Sequence, residues 1–185
     1  MPINPTKIKG NWDKGYVLDV HIVSSTSKSE NDFETTRTEL GELLYQLKYR
    51  GKYEIAGEII SLIKPFLRSF TELKDVNLVI PVPSSKRRDF QPVDELAMAI
   101  SEYLCVEFSD EVLEKTSPLQ VKNMSKGTRN LKGSIDAKMK LDVPSNILLV
   151  DDLYETGKTL KECVAVLKDD PNIDNIYVLA MTKTR

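Results

Sequence analysis

Residues 147–160, ILLVDDLYETGKTL, hold the side chains best suited to chemistry: an apolar run, two adjacent carboxylates, a short turn, then Thr156-Gly157-Lys158-Thr159 where a helix can open. Each part has a use. A helix N-terminus presents unpaired N–H groups and the positive end of its dipole, a glycine lets the backbone approach an anion, and threonine hydroxyls add donors. Thr156, Gly157, Lys158 and Thr159 are therefore a candidate cradle for a monophosphate. Asp151 and Asp152, at the strand end just before it, can accept hydrogen bonds from sugar hydroxyls. They can also bind Mg2+ through its waters, since magnesium takes oxygen ligands and keeps part of its hydration shell. The plainer alternative, a pair of aspartates that ends a strand and caps a helix, fits Asp-Asp alone but not the complete string.

Competing phosphate motifs fail on spacing. A Walker A loop needs a glycine five residues before the Gly of Gly-Lys-Thr, and Asp152 stands there. No Gly-x-Gly-x-x-Gly follows any apolar run, so a dinucleotide-binding turn is unsupported.

The elements that must hold these residues can be read from periodicity. Tyr16 to Val23 alternates, with Leu18, Val20 and Ile22 on one face, and predicts a half-buried strand. The polar stretch SSTSKSEND after it predicts a loop, and Thr36 with Glu39 has the spacing of a capping box. The stripe Leu40, Leu43, Leu44, Leu47 then marks a helix, and a second begins near Glu54, with Ile55, Ile59, Ile60 and Ile63, until Pro65 interrupts or kinks it. Further on come an apolar strand over 76–82, a helix over 94–104, a strand over 146–150, a helix from about Thr156 to Lys168 and a strand over 176–181. Strands alternating with helices imply parallel pairing through right-handed crossovers, hence an α/β fold with an open, mostly parallel sheet flanked by helices. Ligands of such sheets sit beyond the carboxyl ends of the strands. His21, the only histidine, is expected to be structural, Trp12 to pack, and Cys163 to lie in the core.

The 185 residues suffice for one well-cored domain, and 41% hydrophobic with 29% charged residues describes an ordinary globular chain. Cys105 and Cys163 lack the CxxC partners of a zinc site or a disulfide framework, and the first residues lack the apolar core of a signal peptide; a cytoplasmic location and no membrane span are expected. Lys and Arg total 26 against 28 Asp and Glu, which argues against a general nucleic-acid binder. The sum hides an asymmetry: seven acidic and no basic residues from Asp94 to Glu114, then five basic (Lys115, Lys122, Lys126, Arg129, Lys132) and no acidic ones from Lys115 to Ile135. Within the second block Lys122 to Thr128, with its Asn, Ser and Gly and little apolar periodicity, is expected to be a mobile cationic loop; a solvated surface loop is the alternative.

VDDLYETGKTL resembles the phosphoribosyl pyrophosphate (PRPP) binding signature of type I phosphoribosyltransferases, and over residues 40–185 the chain resembles ComF-like members of that superfamily. The further segments carrying the likeness are LKYRGKY, VIPVPSSKRRDFQPVDELA, TSPLQVKNMSKGTRNLKGS and YVLAMTKTR. The resemblance implies a type I phosphoribosyltransferase fold, with residues 73–185 as its core and 1–72 as an N-terminal hood. It implies that Ser84, Ser85, Lys86 and Arg87 belong to the loop that meets pyrophosphate, and that Lys122, Lys126 and Arg129 belong to a loop that closes over PRPP and excludes water. Departures are local. Arg88-Asp89-Phe90-Gln91-Pro92 replaces an Arg-Gly-Phe-Asn-Gln pattern, no Cys-rich zinc segment is present, and Glu155 stands where a small residue is common. In purine-salvage relatives, whose motif ends DTGKT, the equivalent acid faces the nucleobase, so Glu155 is expected to contact a base or act as general base; a solvent-facing Glu155 paired with Lys158 is the alternative.

The activity implied is Mg2+-dependent transfer of 5-phosphoribosyl from PRPP to a nitrogenous acceptor with release of pyrophosphate. The alternative is a catalytically reduced protein that senses PRPP or a nucleotide, or serves DNA uptake as an accessory factor. A homodimer is the expected assembly, without a self-association motif to carry it.

Overall fold

The computed structural model describes residues 3–29, 32–50, 54–84, 91–116 and 134–184. Strand β9 (Ser145–Tyr154) lies in the middle of its main sheet, and its apolar run shows why. Ile147 and Leu149 enter one core, Leu148 and Val150 the other, so the strand is buried on both faces. Only a continuous apolar stretch suits that position. Around it the six-stranded sheet runs β1 (Thr6–Lys7), β2 (Lys14–Val20), β10 (Ile173–Lys183), β9, β5 (Leu78–Pro81), β6 (Glu107–Phe108). Pairing is parallel except between β1 and β2. This is the expected α/β architecture. Strands from both sides of residue 72 share the one sheet.

Helices cover both faces. Against the first lie α1 (Glu39–Arg50), α2 (Glu54–Ser69) and α3 (Pro92–Leu104), which bury Leu40, Leu44, Ile59, Ile63, Leu96 and Ile100 there. Against the second lies α4 (Lys158–Leu167), with Leu160, Cys163, Val164 and Leu167 inward. Each such side chain contributes about 1.5–3 kcal/mol by leaving water. A short antiparallel pair, β7 (Leu113–Lys115) with β8 (Ile135–Ala137), adds Leu113 and Ile135 to that second core. Trp12 is buried in it as well, its indole N–H donating to Ile8 O at 3.2 Å.

Four expectations need correction. The polar stretch after Val23 is not a loop: β3 (Ile22–Ser29) and β4 (Asp32–Arg37) form an antiparallel ribbon. Backbone pairing holds the two strands together, and Ile22 and Val23 at the start of β3 are exposed, so hydrophobic periodicity, which detects buried faces, does not mark the ribbon. Strand β2 ends at Val20 and is not half-buried, because Val17, Leu18 and Asp19 are all enclosed in the sheet interior. The helix cap is Thr38 and not Thr36: its hydroxyl accepts from Gly41 N–H at 3.0 Å and donates to Val20 O at 2.8 Å. Thr36 is taken by the β4 ladder, where it faces Ser24. Finally, Pro65 does not interrupt α2, which continues to Ser69 because Ile63, Phe66 and Leu67 bury its stripe on both sides of that exposed proline.

Candidate active site

Two crossovers leave the neighbouring strands β5 and β9 in opposite directions. Helix α3 leads from β5 to β6 over one face, and α4 leads from β9 to β10 over the other. Between strands whose connections diverge in this way, a crevice opens beyond their carboxyl ends. A cleft of about 440 Å³ occupies that place, lined by Val82 to Ser84 after β5, Gln91 to Val93 at the start of α3, and Asp151 to Leu160 from the end of β9 into α4. Lys48 of α1 and Lys115 of β7 complete its wall.

The register explains how the carboxylates reach it. Pro81, the last residue of β5, pairs with Val150, so Asp151 and Asp152 project past their neighbour while β10 still supports this end of β9, with Ala180 opposite Asp151 and Thr182 opposite Leu153. The two acids are unequal. Asp151 Oδ1 accepts the Asp152 N–H at 2.9 Å, and burial, reinforced by the charge of Asp152, pushes the Asp151 carboxyl up to about 7. Asp152 faces a cation, with Lys48 Nζ 3.6 Å from its Oδ2. Desolvation is what raises Asp151, because a carboxyl taken out of water favours its neutral form.

After Tyr154 the chain turns through Glu155 and Thr156, both exposed, into Gly157, which is buried at φ +71° and serves as N-cap of α4. A left-handed cap position favours glycine. A second reason for it is steric: a Cβ there would stand 2.9 Å from Cε2 and 3.0 Å from Oη of Tyr154. Glycine brings no capping side chain, the Thr156 hydroxyl reaches only the Lys158 N–H, at 3.4 Å, and the first helical bond is Lys161 N–H to Gly157 O at 3.0 Å. The amides of Thr159 and Leu160 thus head a helix whose positive end points into the cleft, an arrangement suited to an anion.

Of the residues expected in the site, Asp151, Asp152, Glu155, Thr156, Gly157, Lys158, Thr159 and Ser84 line this one cleft. Ser85, Lys86, Arg87, Lys122, Lys126 and Arg129 lie outside the described residues. Glu155 and Lys158 form no ion pair among the described residues. Lys48 was missed as a site residue although it stands in LKYRGKY; the available signal was its place one turn after the buried Leu44, on the edge of the stripe that packs toward the sheet. Among the described residues no group of three His, Cys, Asp or Glu side chains gathers as a metal cage, and no helix is long and apolar enough to cross a membrane.

No protein-family model and no curated protein matches the chain. Solved structures similar to it include one titled as an adenine phosphoribosyltransferase, at 14% identity and a TM-score of 0.46, covering 87% of this chain and 85% of that one. A structure of Leishmania donovani UMP synthase is similar at 14% identity and a TM-score of 0.38, over 84% of this chain and 26% of that one, so the chain spans about a quarter of its length.

Proposed function

We propose that the protein is a phosphoribosyltransferase of the ComF-like type, transferring 5-phosphoribosyl from PRPP to a nitrogenous acceptor and releasing pyrophosphate. The observation that carries this is the meeting, in one cleft at the diverging strands, of a carboxylate pair and a glycine-opened helix start. Residues 155–159 would hold the 5′-phosphate and Asp151 with Asp152 the ribose hydroxyls. The pyrophosphate would extend toward Ser84 and the segment after it. Such a reaction passes through an oxocarbenium-like state in which positive charge grows on the sugar and negative charge on the leaving group. Positioning and charge stabilisation do most of the work. Lys86, Arg87, Lys122, Lys126 and Arg129 are proposed to meet the departing charge, and Glu155 to orient or deprotonate the acceptor.

The donor set fits magnesium. Two adjacent carboxylates, with no third His, Cys, Asp or Glu gathered beside them among the described residues, suit an ion that keeps its waters and takes further oxygens from the substrate. Asp151 and Asp152 would hold it, and when bound it supplies neutralising charge to the pyrophosphate.

A second reading draws on Glu155, whose exposed carboxylate lines the phosphate turn, and on Gln91-Pro92, which line the same cleft from the segment that departs from the ComF-like pattern. Both would suit a protein that binds PRPP or a nucleotide without turning it over. Calorimetric titration with PRPP and Mg2+ tests the shared premise: wild type binds, and Asp151→Asn/Asp152→Asn does not. Equal binding by both, or by neither, overturns the assignment. Pyrophosphate release across purines, pyrimidines, ammonia and glutamine then separates enzyme from sensor.

A further inference from the structure

His21 stands between β2 and β3, where several elements meet. Its backbone N–H donates to Lys183 O of β10 at 2.8 Å. Its carbonyl lies so close to α1 that a Cβ on Gly41 would come within 2.3 Å of the oxygen, which fixes the approach of that helix. Its ring Nδ1 is 3.1 Å from Thr182 Oγ1. Thr182 is fully buried, and its hydroxyl donates to the backbone carbonyl of Asp152 at 3.2 Å.

A threonine hydroxyl owns one proton. With that proton committed to the Asp152 carbonyl, Oγ1 can only accept from the ring, so Nδ1 of His21 must carry a hydrogen. Burial, then the charge of Arg37, hold His21 below the ordinary histidine range, with Lys48 adding to them and Asp152 opposing. The ring is therefore neutral near pH 7, in its Nδ1–H form. A directed chain results, from His21 Nδ1–H to Thr182 Oγ1 and from Thr182 Oγ1–H to Asp152 O.

Asp152 is thus reached by two routes. Its carbonyl is held through Thr182 by His21, and its carboxylate faces Lys48, carried on the helix that packs against the His21 carbonyl. We propose that His21 and Thr182 are positioning residues for Asp152, fixing the strand end whose carboxylate meets the ribose. This rests on the phosphoribosyl assignment for its ligand, but the hydrogen-bond chain itself does not. A valine would fill the Thr182 site with the same shape, so the buried hydroxyl is explained by the bond it makes.

Because the chain has a single histidine, its imidazole nitrogens give one set of 15N NMR signals. The experiment combines those signals with PRPP and Mg2+ titrations and unfolding temperatures for wild type, Thr182→Val, Thr182→Ser, His21→Ala and His21→Asn. Wild type should show the Nδ1–H tautomer. Thr182→Val should weaken PRPP binding about tenfold, the size of one buried hydrogen bond, while Thr182→Ser stays within about twofold. His21→Asn, whose amide can stand in for Nδ1–H, should bind better than His21→Ala. An Nε2–H tautomer, or unchanged binding in both Thr182→Val and His21→Ala, overturns the proposal. If wild type does not bind PRPP, the phosphoribosyl assignment fails by itself. The chain is then judged on the Asp152 amide and Lys48 Nζ signals: a change in Thr182→Val but not in Thr182→Ser upholds it, and no change overturns it.

Discussion

Replacing Gly157 by alanine loads the phosphate turn in two separable ways. The first is backbone: at φ +71° an alanine pays about 1–2 kcal/mol for the left-handed conformation. It recovers about 0.4–1 kcal/mol because its unfolded chain is less free than glycine's. The second is the Tyr154 ring, three of whose atoms lie 2.9 to 3.1 Å from the new methyl. Moving a half-buried ring costs about 1–3 kcal/mol, as overpacking generally does. Together Gly157→Ala should destabilise the protein by about 2–4 kcal/mol. For a chain of this length that lowers Tm by about 5–15 °C. Thermal unfolding followed by circular dichroism, without ligand, gives the number. A double-mutant cycle then isolates the ring: in a Tyr154→Ala background the same glycine change should cost only the backbone part, about 1 kcal/mol. Gly157→Ala melting at the wild-type temperature would show that the turn is not built as described. An equal loss in both backgrounds would clear Tyr154 and leave backbone alone.

Other expectations concern different parts of the molecule. Asp151 binds its proton up to about pH 7 in the folded state but only to about 4 unfolded. The stability linked to it is therefore full below about pH 4, declines as pH climbs to about 7 and is constant beyond. Urea unfolding midpoints across that range should fall in wild type and fall less in Asp151→Asn; parallel curves would exclude this carboxyl as the cause. Thr38→Ala removes both the α1 cap and the bond to Val20 O, and should cost about 1–2 kcal/mol in denaturant unfolding, most of which Thr38→Ser retains. Asp170 is buried and accepts from the Leu141 and Asn172 amides at 2.8 and 3.0 Å, so Asp170→Ala should cost about 2–4 kcal/mol by the same assay; a loss under 1 kcal/mol would mean water replaces the carboxylate.

The legible parts of this fold were those in which local pattern and burial agree. Ile147 to Val150 is apolar on both faces and sits mid-sheet, and the turn that follows it carries its own chemistry, so the strand, the helix and most of the cleft followed from one segment. The β3–β4 ribbon was illegible because it is held by backbone pairing, and Ile22 and Val23 at its start are exposed and leave no period. The cap was displaced by two residues because Thr36 and Thr38 are equally able to cap, and the choice was made by how far the ladder to Ile22 extends. That Lys48 and His21 meet Asp152 was illegible for a different reason: the α1 stripe shows only that Lys48 lies at its edge, and which remote segment it or His21 meets is decided by the order of strands.

The pairing of β2 with β10 also sets a timetable for the molecule. The Ile176 amide donates to Asp13 Oδ2 across a sequence separation of 163, and the ladder from Tyr177–Lys14 to Lys183–Val20 spans a similar interval. Contacts so distant in sequence close slowly, since the entropy of the whole intervening chain is spent before any of them stabilises the structure. On the ribosome β2 leaves the exit tunnel long before its parallel partner exists, with one edge paired to β1 and the backbone N–H and C=O groups of the other edge unpaired. The Asp152 end of β9 is then supported from the β10 side only once β10 itself has been synthesised. The nascent chain therefore passes through a stage with an exposed strand edge, in which chaperone capture or intermolecular pairing competes with closure of the sheet.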